Sequence, residues 1–466
     1  MILVRSRRLP LNGNSLIIFF IILLFATACG TKKPIVKTPD PKEKEEGANK
    51  RVFNPKTGKY EMVKEAPVDT VKWTEISEEA FPPITPNQKI EKEIVTKDIY
   101  NLSMFIPFET NDFSYSSNNI DSRKSKYINY YAGAKIALKQ LESEGILLTT
   151  YVNDSGNSLS QVESLLKRSS TQKADLIIGP YNKDAIIATA EFGSDRKIPV
   201  ISPWRPAFNA PSDNPFLIQI NPSFQSHCVA ITKHVAEHFD PTQVVLVARD
   251  NAKERNRLRY FQDANHIYSG VGAESFQELI VSDQSINLED TDLTKYIQKR
   301  KPTVFILPYY ARSEEEFVHS FLGRLSYFKG DETVYVYGLP HWMDYGKINY
   351  DWFETLNIRM TSANNIDSNN AEIISFKSQF FNQYGTIPNK DAYEGFDITL
   401  HAGRMLFKHG REFVYYLDTE EDDLMQTAFR FKKVGKYSDD FTDYDYLENE
   451  KLFIIEFKDA KFQTAN

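Results

Sequence analysis

From residue 99 onward, short apolar runs alternate with segments whose apolar residues recur at helical spacing. Ile99-Tyr100-Asn101-Leu102-Ser103-Met104-Phe105-Ile106 reads as a buried strand that stops at Pro107-Phe108. Residues 130–143 place Ala134, Ala137, Leu138 and Leu141 on one helical face. A second strand over 146–152 ends at Asn153-Asp154, and Val162, Leu165 and Leu166 mark the next helix. A strand over 174–178 closes at Gly179-Pro180, followed by a helix over 185–192 and a strand over 197–202. After Asn221-Pro222-Ser223 the alternation restarts. Helices are predicted at 227–239, 255–269, 293–300 and 314–327, strands at 244–248, 275–281, 304–307 and 334–338, and a last strand at 451–457. Strands alternating with helices of this length build βαβ units and parallel sheets covered on both faces. The pattern predicts an α/β body of two doubly wound parallel-sheet lobes in series.

The first 97 residues follow a different pattern. Arg5, Arg7 and Arg8 precede an apolar run over 16–25, which shrinks to Ala26-Thr27-Ala28-Cys29-Gly30. A basic start, a short apolar core and small residues before a cysteine make a lipoprotein signal peptide over 1–28, cleaved to leave a lipidated Cys29. The apolar run is shorter than the ~18 residues a membrane-spanning helix needs. Residues 29–97 are dominated by Lys, Glu, Thr and Pro, and hold eight of the chain's 22 prolines between residues 30 and 88. Such a segment buries too little apolar surface to offset the entropy of ordering it, so it reads as a flexible tether with a coil reach of about 40 Å. Residues 52–73 hold more apolar residues and the Asn54-Pro55-Lys56-Thr57-Gly58 turn signal, which suit a short hairpin or a segment docked on the body.

Composition narrows the class. Cys228 is the only cysteine besides Cys29, so a lipidated chain has no intrachain disulfide, and Cys228 reads as a buried apolar filler. The formal charge of −7 moves to about −10 once the leader arginines are removed, and no Lys/Arg-dense segment follows. Nucleic acid is therefore not the expected partner. There is no Gly-x-Ser-x-Gly elbow, no phosphate loop and no His-Glu-x-x-His, so no enzymatic activity and no cofactor are expected. His227, His234 and His238 share a helical face, but no carboxylate or cysteine completes a metal set. No metal is assigned.

Several segments carry a family resemblance. Tyr131-Ala132-Gly133-Ala134 resembles the YxGAxLAxxxL helix of type I periplasmic binding proteins of the branched-chain amino-acid receptor kind. Ala174-Asp175-Leu176-Ile177-Ile178-Gly179-Pro180 and Ile198-Pro199-Val200-Ile201-Ser202-Pro203 are similar to two further segments of that family. Asn214-Pro215-Phe216, Asn221-Pro222-Ser223, Phe380-Phe381-Asn382-Gln383-Tyr384-Gly385 and Ala392-Tyr393-Glu394-Gly395-Phe396-Asp397 extend the match in order. The resemblance implies two lobes joined by three crossovers and closing on a ligand. Lobe 1 would comprise 98–221 and 365–412, and lobe 2 would comprise 222–364 and 413–466.

In open parallel sheets ligands sit beyond the carboxyl ends of the strands. Those ends hold the candidates Phe108, Asn153, Asp154, Tyr181, Asn182, Trp204, Arg205, Arg249, Asp250, Tyr309, Tyr310, His341 and Trp342. Arg205 suits a carboxylate or phosphate, and Trp204 suits stacking on a sugar or apolar body. Where the family places small hydroxyl residues this chain has Pro203-Trp204-Arg205-Pro206, and where it often has serines this chain has Tyr181-Asn182-Lys183-Asp184. Both departures point away from a free amino acid as ligand.

The expected function is a non-catalytic, lipid-anchored, periplasm-facing ligand-binding protein, such as the solute-binding component of an ABC transporter. Its partner would be a small polar ligand. The alternative is an envelope scaffold or regulator, like the lipoprotein activators of peptidoglycan synthases, that uses the fold to bind an envelope protein. Gly30 after the lipidated cysteine and the long tether suit the outer membrane.

Overall fold

The computed structural model describes residues 49–54, 59–64, 96–110, 122–205, 213–270, 272–282, 288, 291–364, 370–435, 444–459 and 461–465. The expected signal peptide, Cys29 and most of the expected tether lie outside these residues. The chain divides into two compact units, residues 1–90 and 91–466. The first contains an antiparallel pair, β1 (Asn49–Asn54) and β2 (Lys59–Lys64), flanking the predicted turn and aligned with Phe53 opposite Tyr60.

The second unit holds two sheets. In the first, β3 (Ile99–Ile106), β4 (Leu147–Asp154), β5 (Leu176–Ile178), β6 (Val200–Ser202) and β7 (Leu217–Gln219) are parallel. In the second, β8 (Val244–Arg249), β9 (Gln277–Val281), β10 (Thr303–Ile306), β11 (Val334–Gly338) and β12 (Ile358–Ser362) repeat the arrangement. The spatial orders are β4-β3-β5-β6-β7 and β9-β8-β10-β11-β12, so each sheet reverses direction beside its first strand. Helices leave opposite faces at that reversal, and the loops there part to open a crevice.

Helix α1 (Ser122–Ser143) follows β3, α2 (Leu159–Leu166) follows β4, and α3 (Lys183–Arg196) follows β5. In the second lobe α4 (Phe224–His238) precedes β8, α5 (Ala252–Tyr268) follows it, and α6 (Glu315–Phe328) follows β10. Asparagine or serine begins most of these helices for a physical reason: the side-chain oxygen accepts the first free backbone N–H groups. Asn182, Ser223 and Asn251 do so for α3, α4 and α5. Each sheet is sandwiched between two apolar clusters, one per face. Tyr100, Leu102, Met104, Ile178 and Ile201 pack on one side of the first sheet, and Phe105, Ile177, Val200 and Leu217 on the other.

The chain returns to the first lobe through α7 (Ala371–Tyr384) and α8 (Lys390–His409), and α8 lies directly on α1. The end of the chain departs from the expected boundaries. The resemblance implies lobe 2 for residues 413–466, yet β13 (Glu421–Asp423), β14 (Ala428–Val434) and β15 (Tyr446–Asn449) belong to the first sheet. β15 lies parallel to β7 with Leu447 opposite Ile218, where it buries both apolar residues. The third crossover therefore falls at 450–452, between β15 and β16 (Phe453–Lys458), which is antiparallel to β12. A further strand, β17 (Lys461–Thr464), pairs with β16, so 451–457 is not the last strand. The helix expected over 293–300 is a single 3₁₀ turn, Leu293–Lys295; Arg300 takes φ 65° and Pro302 follows, both of which oppose a continuing helix.

At the crossovers the lobes are clasped by Glu448 on β15, which is buried. Its carboxylate accepts from the Ser223 N–H and the Ser223 hydroxyl at 3.0 Å and from the Ser226 hydroxyl, all at the start of α4. An anion at a helix N-terminus is favoured by the unpaired N–H groups and the helix dipole.

Candidate functional site

The reversal in the first sheet lies between β3 and β5, so the residues that follow them flank the crevice. Phe108 follows β3 and is half-buried, edge-on to Tyr131 of α1 at 5.8 Å. Tyr181 follows β5, and the Arg205 guanidinium lies 4.3 Å over its ring. Tyr127 of α1 ties the set together, 5.9 Å from Tyr181 and 5.2 Å from Trp204, both edge-on. Burial and the neighbouring Tyr181 push the Tyr127 phenol well above its ordinary pKa, with Arg205 opposing them, so it stays a neutral donor.

Trp204 departs from its expected role. It is 6% exposed and packs into the first-lobe core against Tyr130 at 4.9 Å, so it supports the rim and offers no free stacking face. Three neighbouring candidates are also built into loops. Asn153 accepts from Arg168 at 3.0 Å. Asp154 accepts the N–H groups of Glu109, Thr110 and Gly156 at 3.0, 2.8 and 2.9 Å. Burial opposes ionisation of Asp154, but these hydrogen bonds outweigh it and hold the carboxyl below its usual range. Asn182 caps α3 and donates to the Asn157 carbonyl at 3.2 Å.

The corresponding reversal in the second sheet lies between β8 and β10. Arg249, at the end of β8, pairs with Glu254, whose other oxygen accepts from the Tyr309 hydroxyl at 2.7 Å. Asp250 pairs with Arg255 at the surface. Tyr309 is fully buried, as is Trp342, whose indole N–H donates to the Tyr309 carbonyl at 2.8 Å. These two candidates are therefore struts. Tyr310 and His341 remain accessible, with ring centres 6.1 Å apart. Tyr310 also meets Phe224 at 5.6 Å, and Phe224 meets Tyr260 at 5.8 Å. Beneath Tyr310 lies Arg257, 4.7 Å below its ring and paired with Glu314 at 2.9 Å. Lys390, at the start of α8 in the first lobe, acts electrostatically on His341, as does Glu314.

Each sheet thus ends in an aromatic rim with an arginine beneath or upon it. Residue-by-residue reading missed Tyr127, Tyr131, Phe224 and Arg257, because they lie on helices and not at strand ends. The Tyr130-Tyr131 pair and the aromatic directly after Asn221-Pro222-Ser223 were the available signals. The three helix-face histidines do not converge: His227 and His234 bond Thr361 and Tyr337 through Nδ1, and His238 turns back to the His234 carbonyl.

The profile of the family described as receptor family ligand binding region matches residues 131–406. Among solved structures, an ABC transporter substrate-binding protein from Desulfitobacterium hafniense is 14% identical with a TM-score of 0.52, over 79% of this chain and 99% of its own. A putative branched-chain amino acid ABC transporter protein from Rhodospirillum rubrum is 13% identical with a TM-score of 0.52, at the same coverages. An ABC-type branched-chain amino acid transporter protein from Rhodopseudomonas palustris is 10% identical with a TM-score of 0.53, over 79% and 96%. At these identities the likeness is one of fold. No curated protein matches the chain significantly. With its two reversing sheets, three crossovers and a profile match spanning more than half its length, the chain belongs to the receptor ligand-binding-region family.

Proposed function

We propose that this protein is a non-catalytic, lipid-anchored receptor of the bacterial envelope that holds a small ligand between its two lobes. The observation that carries the reading is the matched pair of aromatic rims. Phe108, Tyr127, Tyr131 and Tyr181 lie at the reversal of one sheet, and Tyr310, His341 and Phe224 at that of the other. Binding sites of this kind combine apolar walls with a few orienting polar groups. Joined by short crossovers, such lobes close by hinge motion when a ligand touches both. A role as the solute-binding component of an ABC transporter is consistent with the fold. A panel of small metabolites added to the purified full-length protein is expected to contain at least one compound that raises its melting temperature and contracts it in small-angle scattering. Failure of every compound to do either would remove this reading.

Gly30 and the proline-rich tether favour a second use of the fold, in which the body reaches through the periplasm to an envelope protein. Crosslinking from intact cells that recovers a cell-wall synthase, with no contraction by any metabolite, would select it. The anchor has its own test. Cys29→Ala is expected to move the protein from the membrane to the soluble fraction, and an unchanged membrane fraction would refute lipidation at that residue.

A further inference from the structure

Arginines near the strand ends of the second lobe have carboxylate partners: Arg249 pairs with Glu254, Arg255 with Asp250 and Arg257 with Glu314. Arg205, at the end of β6 in the first lobe, has none among the described residues. Its guanidinium lies flat on Tyr181 at 4.3 Å, which fixes the plane of the fork and leaves its edge for an acceptor. Its Nε is buried without a hydrogen-bond partner among the described residues. Two further buried groups are also unpartnered among the described residues: the indole N–H of Trp204, the preceding residue, whose side chain is 6% exposed, and the hydroxyl of the fully buried Tyr130, whose ring packs on Trp204. Tyr130 touches Trp204 at 4.9 Å, and Trp204 touches Tyr127, which touches Tyr181.

A buried donor left unmade is costly, and such groups in folded proteins are nearly always matched. Two of them on adjacent residues, one cationic, describe a site short of an acceptor. Among the described residues no carboxylate pairs with Arg205: Glu109 and Asp391 act on Tyr127, and Glu394 on Tyr130, only through space. The half-buried rings of Phe108 and Tyr181 after the strands, and of Tyr127 and Tyr131 on α1 beside them, supply an apolar wall. We propose that Arg205 is the anion anchor of the interlobe site, and that the ligand joins a carboxylate or phosphate to a flat apolar body. This rests on the receptor reading above and adds the ligand's chemical class to it.

The probes are phenylacetate, phenyl phosphate and the uncharged phenylacetamide, titrated calorimetrically into the full-length protein and into Arg205→Gln and Arg205→Lys. At least one anion is expected to bind about tenfold or more tighter than phenylacetamide, as a charge-assisted, fork-shaped contact predicts. Arg205→Gln should abolish that preference and Arg205→Lys restore part of it. Preference for phenylacetate or for phenyl phosphate tells the carboxylate source from the phosphate source. Equal binding of phenylacetamide, an unchanged Arg205→Gln, or no binding of either anion would overturn the anchor. If Arg205→Gln does not fold, the wild-type preference for anion over amide decides alone. The two proposals fail separately. Contraction by a cationic or neutral metabolite would leave the receptor standing and remove the anion anchor, whereas no contraction by any compound would remove both.

Discussion

Replacing Gly395 by alanine is expected to destabilise the first lobe by about 3 kcal/mol or more, beyond the usual range for an added methyl group. Gly395 lies in α8 where that helix crosses α1, and a Cβ built there would sit 1.9 Å from the carbonyl oxygen of Tyr130. The reciprocal contact is as tight: a Cβ on Gly133 of α1 would meet the Ala392 carbonyl oxygen at 1.8 Å. Both obstacles are backbone, so no rotamer change relieves them and the helices must separate. Alanine's better helix propensity returns only about 1 kcal/mol. Separation would also displace Tyr127 and Tyr131, which α1 presents to the candidate site, and the buried Tyr130 behind Trp204, so ligand binding should fall along with stability. Gly346→Ala is the control, since a Cβ there meets nothing nearer than 4.0 Å. Urea denaturation of the three proteins checks the prediction, and a Gly395→Ala midpoint equal to that of Gly346→Ala would refute it.

Glu314→Ala is expected to cost about 3–5 kcal/mol in the second lobe, the loss typical of breaking a buried ion pair from one side. The Arg257 and Glu314 side chains are 6% and 7% exposed and meet at 2.9 Å. The other Glu314 oxygen accepts from the N–H groups of Tyr310 and Ala311, both at 2.8 Å. Removing the carboxylate strands a buried guanidinium, which keeps only its bond to the Pro308 carbonyl at 2.9 Å, and orphans two backbone donors. Glu314→Gln should cost less, because the amide oxygen still accepts while the charge is lost. The loop that carries Tyr310 should loosen in both variants, which hydrogen exchange at Tyr310 and Ala311 would report. A Glu314→Ala protein within 1 kcal/mol of wild type, measured by the same denaturation, would contradict the assignment of Arg257 as buried and dependent on this partner.

Much of the body was legible because its signals are local. The apolar run at residues 99–106 is β3, and Gly179-Pro180 closes β5 as expected. The predicted helices over 185–192, 227–239 and 255–269 are α3, α4 and α5, which start two or three residues earlier because Asn182, Ser223 and Asn251 cap N–H groups two or three residues on. The restart after Asn221-Pro222-Ser223 coincides with the first crossover because that turn ends one sheet and Ser223 caps the first helix of the other lobe.

The candidate site was legible only in outline. Strand ends located Phe108, Tyr181, Arg205, Tyr310 and His341, since the carboxyl edge of a parallel sheet is fixed by strand order. Strand-end position does not reveal what covers a residue. Trp204, Tyr309 and Trp342 were equal candidates in the sequence, yet Tyr130, Glu254 and the Tyr309 carbonyl draw them inward from elements tens of residues away. The third crossover was hidden for the same reason: β15 joins the first sheet through Leu447 and Ile218, a pairing between residues far apart in the chain. Periodicity, turns and caps were thus determined by the sequence alone, because each depends on neighbours within a few positions. Sheet membership at the chain's end, the burial of the strand-end aromatics and the unpartnered edge of Arg205 were decided only by tertiary structure, because each depends on which distant surface arrives.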